Sequence, residues 1–292
     1  MKISCKKLST VDNRAMDRFI KKPAETEVPT SAAWTFLVMT FGILSLILLL
    51  LVIWSNELAQ LFGPLRASHP LFILAVWSPA LSAWAVILFT TGWSGFRGYL
   101  TRFLVWRCGL YWAIFLIVII PLIYFLGAWL KGEPGSTLWP FEDLRIGLYT
   151  IGLMAILGPV EEFGWRDLLQ PLLQRKFTPF WAAIIIGLLW STWHLPAFYL
   201  SGLPQSNWSF IPFIIGVTAL SVIITPLFNV TRGGIFLPMV FHFQLNNPMW
   251  PDALPYDIPL WVLTATVVTY VYRKEMFDKE SGVKRVTGLE ID

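Results

Sequence analysis

Eight apolar stretches, each close to the length that crosses a bilayer, constrain this chain more than any other feature. A helix needs roughly 20 residues to traverse about 30 Å of hydrocarbon. The sequence offers candidates at 33–54, 71–92, 108–130, 145–167, 179–200, 209–228, 234–249 and 257–272. In lipid every backbone N–H and C=O must be satisfied within the protein, so apolar runs of this length become helices. The expected fold is therefore all-α: a polytopic integral membrane helical bundle of about eight transmembrane helices, in one membrane domain with short loops. Composition agrees, with 56% hydrophobic and 14% charged residues among 292, against about 25% charged in soluble globular domains.

The distribution of Lys and Arg gives an orientation. With the N-terminus in the cytoplasm, segments 1–32, 93–107, 168–178, 229–233 and 273–292 fall inside and hold 18 of the 22 basic residues. The outer loops hold Arg66, Lys131 and Arg145, and Arg166 lies within the fourth stretch. Such an alternation follows the positive-inside rule with an even span count and both termini inside. The polar, basic first 30 residues lack the short apolar core of a secretory leader, so no cleaved signal is expected. No lipidation motif is expected either. Cys5 and Cys108 have no CxxC or paired spacing and read as bystanders. GWSGFRGYLTRFLVWR (92–107) reads equally as an interfacial amphipathic helix or as ordinary positive-inside anchoring.

Within the spans, the polar set is Glu161, Glu162, Arg166, Asp167, His194, His242 and Asn246. Each charge near the bilayer centre costs about 2.5–3.5 kcal/mol, so such groups face a bundle interior and find partners. Glu162 and Arg166 are four residues apart and pair on one helix face. Glu161 is turned about 100° away and points into whatever cavity exists. Trp190 and His194 share a face, as do His242 and Asn246. Spans four and five form an antiparallel hairpin turning near Arg175–Thr178, and Glu161 and His194 lie almost equally far from that turn. DLLQPLLQRK (167–176) is expected to protrude beyond the membrane. His242 stands about 13 Å along its span from Gly233. Glu161, His194, His242 and Asn246 thus fall at one level, while His69, in its SHP loop, reads as incidental.

A carboxylate and a histidine in a dry site can share a water's proton and make the water nucleophilic. A second histidine and an asparagine amide can donate to the oxyanion that forms when water attacks a carbonyl. Two His and one Glu would equally suit a divalent metal such as zinc, with Glu161, His194 and His242 as ligands and a fourth position open to water. No HExxH is present, so those ligands would come from separate helices. Gly158–Pro159 is expected to free backbone groups and kink the fourth span.

These residues resemble a known family. EEFGWR (161–166) matches the EExxxR motif of the CPBP family of intramembrane proteases, which includes CAAX prenyl endopeptidases and Abi bacteriocin-immunity proteins. WSTWH (190–194) resembles its FxxxH motif, HFQLN (242–246) its HxxxN motif, and 92–107 its segment before the third span. The resemblance implies an intramembrane endopeptidase of the bacterial plasma membrane, acting on a membrane-embedded or lipid-anchored peptide. It implies that Glu161 and His194 activate water, that His242 and Asn246 stabilise the oxyanion, and that Glu162, Arg166 and Trp190 support the site. The glutamate mechanism requires no cofactor, although the family long carried the label metalloprotease. Trp190 departs from the motif's Phe and is bulkier, which would narrow the cavity.

The expected organisation is a basic cytoplasmic segment at 1–30, a CPBP-like domain at 31–275 with core motifs at 158–249, and a cytoplasmic tail at 276–292. A non-catalytic immunity or scaffolding protein is the alternative reading. A transporter with a Glu–His relay would show inverted-repeat halves, and none is visible. The partners are the lipid bilayer and a peptide, with no nucleic acid.

Overall fold

The computed structural model describes residues 27–133 and 139–288, and every regular element among them is helical. Most of the basic 1–30 segment, with Cys5, and the last four residues of the tail lie outside the described residues. Four helices are long and apolar enough to cross a bilayer: Ala32–Ile53, Leu110–Lys131, Leu144–Gln174 and Phe210–Val230. A pair bent by 55°, Pro70–Val76 with Ser78–Leu104, makes a fifth. Pro179–Trp193, Phe236–Leu245 and Ile258–Val271 are apolar but shorter. By length and composition four to five of the eight expected stretches qualify as spans, and the other three form shorter apolar helices.

The shortfall has local causes. The 179–193 helix stops before Pro196, which has no N–H to continue the ladder and restricts the residue before it. The helix at 236–245 has ten residues, or about 15 Å at 1.5 Å per residue. Both short helices end at motif residues: His194 is the C-cap of one and Asn246 of the other.

Large apolar side chains cover the outward faces, among them Trp34, Val38, Leu49, Ile117, Ile146, Ile211 and Leu263. An apolar exterior on several helices far exceeds what water tolerates, so the chain is an integral membrane protein. The Phe210–Val230 helix sits at the centre, packed against the 179–193 and 258–271 helices. Ser221 on it donates to the carbonyl of Ala183 at 2.7 Å and locks two of these helices together.

Several polar stretches are buried where the sequence suggested exposure. DLLQPLLQRK is covered by the rest of the protein, with Asp167, Gln170 and Gln174 fully buried. Their partners explain why, since Gln174 pairs with the Asn229 amide at 2.8 and 3.1 Å and Asp167 pairs with Arg102 at 3.0 Å. Within 92–107, Arg97, Phe103, Leu104, Trp106 and Arg107 are exposed, as an interfacial element requires. Arg102 instead turns inward and is completely buried. The tail also packs on the body, with Met276, Val283 and Val286 buried. His69 has a structural task, since its Nδ1 caps the 70–76 helix by accepting from the Leu71 N–H at 3.2 Å.

Candidate active site

The segment 144–174 is one helix by length but four pieces by hydrogen bonding, the last an α-helical turn at Gln170–Gln174. An α-helix runs Leu144–Leu157, a 3₁₀ turn Pro159–Glu161, and a wide π turn Phe163–Leu169. Pro159 lacks the N–H that would continue the α ladder, and the Glu161 N–H donates to the Gly158 carbonyl at 3.0 Å instead. A tight turn followed by a wide one aims adjacent glutamates at different partners, and π turns of this kind recur at functional sites.

Glu162 is fully buried between two cationic or hydrogen-bonding side chains. Its Oε2 accepts from Arg166 Nε at 3.2 Å and its Oε1 lies 2.6 Å from His242 Nδ1. Arg166 also donates from Nη1 to Ser221 Oγ at 2.9 Å, and its guanidinium stands 5.5 Å from the Trp190 ring centroid. The four-residue pairing of Glu162 with Arg166 is the one the helix spacing predicts. The bond from Glu162 to His242 is an addition that spacing within one helix cannot show.

Glu161 lines a cavity of about 480 Å³ together with Trp190, His194, His242 and Asn246. The remaining walls are mainly apolar, with Leu48, Phe72, Trp193, Phe213 and Val217 among them. That volume lies in the usual range for a ligand site, roughly 300–1,000 Å³. Trp190 donates its indole N–H to Glu161 Oε2 at 2.7 Å. The motif's Phe has no such donor, so the departure seen in the sequence supplies a hydrogen bond as well as bulk. Trp190→Phe keeps an aromatic ring beside His242 and removes that bond. Hydrogen bonds to charged groups are worth about 1.5–3 kcal/mol, so kcat is expected to fall roughly tenfold with KM little changed. Steady-state kinetics test this, and an unaltered kcat would show that the indole does not orient Glu161.

His194 Nδ1 lies 2.8 Å from the Trp190 carbonyl. A carbonyl can only accept, so Nδ1 carries the proton and Nε2 holds the lone pair. By the same argument His242 Nδ1 donates to the Glu162 carboxylate. Asn246 lies four residues on, one helical turn from His242. A Cβ added to Gly158 would stand 2.8 Å from His242 Nε2 and collide with Asn246 Nδ2. The missing side chain at the helix break thus makes room for both groups beside the Glu161 turn. The 236–245 helix is fixed by Gln244 donating to the Leu116 carbonyl and Tyr124 donating to that of Leu245.

All seven site residues named from the sequence therefore gather in one region. Among the described residues, no group of three His, Cys, Asp or Glu side chains stands in a metal-holding arrangement. The residues that sequence reasoning missed are Ser221, which holds Arg166, and the Tyr99 and Arg102 pair beneath the π turn. Tyr99 donates to the Phe163 carbonyl. Arg102 looked like one more anchoring cation, so only its position next to an aromatic-rich turn set it apart.

Comparison with known proteins finds a family model that the same segment matches. Residues 143–247 match the family model described as type II CAAX prenyl endopeptidase Rce1-like. The chain is 28% identical over 142 residues to CAAX prenyl protease 2 of Methanococcus maripaludis, covering 44% of this chain and 52% of that protein. It is 30% identical over 138 residues to lysostaphin resistance protein A of Staphylococcus haemolyticus, covering 46% of this chain and 36% of that protein. The match thus spans about half the length of the first relative and about a third of the second. Glu161, Glu162, Arg166, Trp190, His194, His242 and Asn246 all fall inside 143–247, the segment that is similar to the Rce1-like family model.

Proposed function

We propose that the protein is an intramembrane endopeptidase that hydrolyses a peptide bond of a membrane-embedded or lipid-anchored peptide. One observation carries this reading: Glu161, two histidines and Asn246 line a single cavity whose other walls are mainly apolar. Glu161, oriented by the Trp190 indole, accepts a proton from water, and His194 Nε2 is free to share it. The oxygen of that water attacks the scissile carbonyl carbon. Asn246 Nδ2 donates to the oxygen that becomes negative, and His242, carried as an imidazolium against the Glu162 carboxylate, donates to it from Nε2 while its Nδ1 bond to Glu162 holds the ring. The proton taken from water passes to the departing amine. Glu162 and Arg166 form a fixed pair that keeps the His242 ring in place, and no step requires a metal.

The mainly apolar cavity favours a lipid-linked or transmembrane substrate over a soluble peptide. The charge pattern supports cytoplasmic termini, with the site reached from within a cellular membrane. A reconstitution experiment tests the reading. The purified protein in liposomes, given a lipid-anchored peptide, is expected to release a defined fragment at a rate unaffected by a zinc chelator. Loss of cleavage on chelation, restored by zinc, would overturn the metal-free mechanism. Absence of any cleavage that depends on Glu161 would overturn the enzymatic reading in favour of a scaffolding or immunity role.

A further inference from the structure

Four consecutive backbone carbonyls near the end of the described chain are each gripped by a side chain of the helical body. Val283 O accepts from Gln174 Nε2 at 2.9 Å and Lys284 O from Arg175 Nε at 2.9 Å. Arg285 O and Val286 O accept from Arg102 Nη1 at 3.2 and 2.7 Å. The side chains of Val283 and Val286 are buried beneath this strap, and the Val283 N–H donates to Asn229 Oδ1 at 3.3 Å.

Arg102 links the strap to both halves of the site. Its Nη1 also reaches the Asp167 carbonyl at 3.3 Å, inside the π turn that carries Arg166. Its Nε donates to the Gly233 carbonyl at 2.7 Å, three residues before the helix that carries His242. The Arg102 carbonyl accepts from the Ile235 N–H at 3.1 Å, and its guanidinium lies 5.3 Å from the Phe228 ring centroid. Arg102 and Asp167 are both completely buried, 3.0 Å apart. The Glu162–His242 bond bridges the same two elements that Arg102 ties together beneath it.

We propose that Arg102, loaded by the 283–286 strap, is a positioning residue that sets the π turn and the His242 helix in register. Its partners Asp167, Phe228, Gly233 and Val286 stand outside the cavity lining, so its influence on the chemistry runs through the Glu162–His242 bond. Its kinetic consequence rests on the endopeptidase reading, whereas its mechanical consequence does not. A planar guanidinium with several donors can bond to Val286, Asp167 and Gly233 at once, whereas an ammonium cannot hold the same fork.

The test uses the full chain with Arg102→Met, Arg102→Lys and Val286→Asp, the last unseating the strap while keeping Arg102. Backbone hydrogen exchange is measured at 163–169 and 233–242 in all three. Exchange should rise at both segments in Arg102→Met and Val286→Asp, with Arg102→Lys intermediate. Because sub-ångström alignment governs rate, kcat should fall about tenfold or more while KM stays within about twofold. Wild-type exchange at the two segments in the Val286→Asp variant, or exchange that rises only within 283–288, would overturn the proposal. So would a wild-type kcat in a folded Arg102→Met protein. If the wild-type protein shows no Glu161-dependent cleavage, the endopeptidase reading fails, and the exchange measurement still decides the clamp.

Discussion

Glu161→Gln is expected to lower the cleavage rate by on the order of a thousandfold, within the range that a positioned general base contributes. The substitution is nearly isosteric. The glutamine side-chain oxygen can still accept from the Trp190 indole, so the cavity wall and its hydrogen bond survive. What disappears is the carboxylate that takes the water proton. Thermal unfolding should therefore be unchanged while single-turnover cleavage of a membrane-bound peptide collapses. A Glu161→Gln protein that cleaves at the wild-type rate would remove this residue from the chemistry.

Glu162→Gln should behave differently, losing stability and activity together. The Glu162 carboxylate accepts from Arg166 through one oxygen and from His242 through the other. An amide has a single acceptor oxygen, so one of those two donors is left facing an NH₂ group in a fully buried site. Removing one member of a buried ion pair typically costs about 3–5 kcal/mol. We expect a marked drop in the denaturation midpoint and, in the surviving folded protein, a large loss of kcat from a misplaced His242 ring. The contrast between the two adjacent glutamates is itself diagnostic, because only one of them holds the structure. A Glu162→Gln protein as stable as the wild type would mean that the pair with Arg166 and His242 is not structural.

The sequence made the chemistry more legible than the architecture. Helix periodicity put Glu162 with Arg166 and turned Glu161 away, and both relations are present in the fold. Matching distances from a hairpin turn brought Glu161 and His194 to one cavity. Periodicity does not foresee that the helix changes type here, into a 3₁₀ turn at Pro159–Glu161 and a π turn at Phe163–Leu169. The bond from Glu162 to His242 joins two helices 80 residues apart, and spacing within one helix cannot show it. Hydropathy also says nothing of where a proline ends a helix, as Pro196 does after His194, and three of the eight apolar stretches form helices shorter than expected. Charge was misread for a related reason. Arg102, Asp167, Gln170 and Gln174 carry the marks of solvent-facing residues, yet Arg102 pairs with Asp167 and with the backbone of the tail, Gln174 with Asn229 and Gln170 with Thr225, and pairing of this kind across the chain is invisible to local pattern.

The central claim is that this cavity hydrolyses a peptide bond in a membrane substrate. It is tested most directly by comparing protein termini in cells that carry the wild-type protein with those in cells that carry Glu161→Gln at equal abundance. The account predicts at least one membrane-associated protein whose new termini occur only with the wild type. Identical termini in the two cell populations, with any protective or partner-binding effect of the protein intact in the variant, would contradict it.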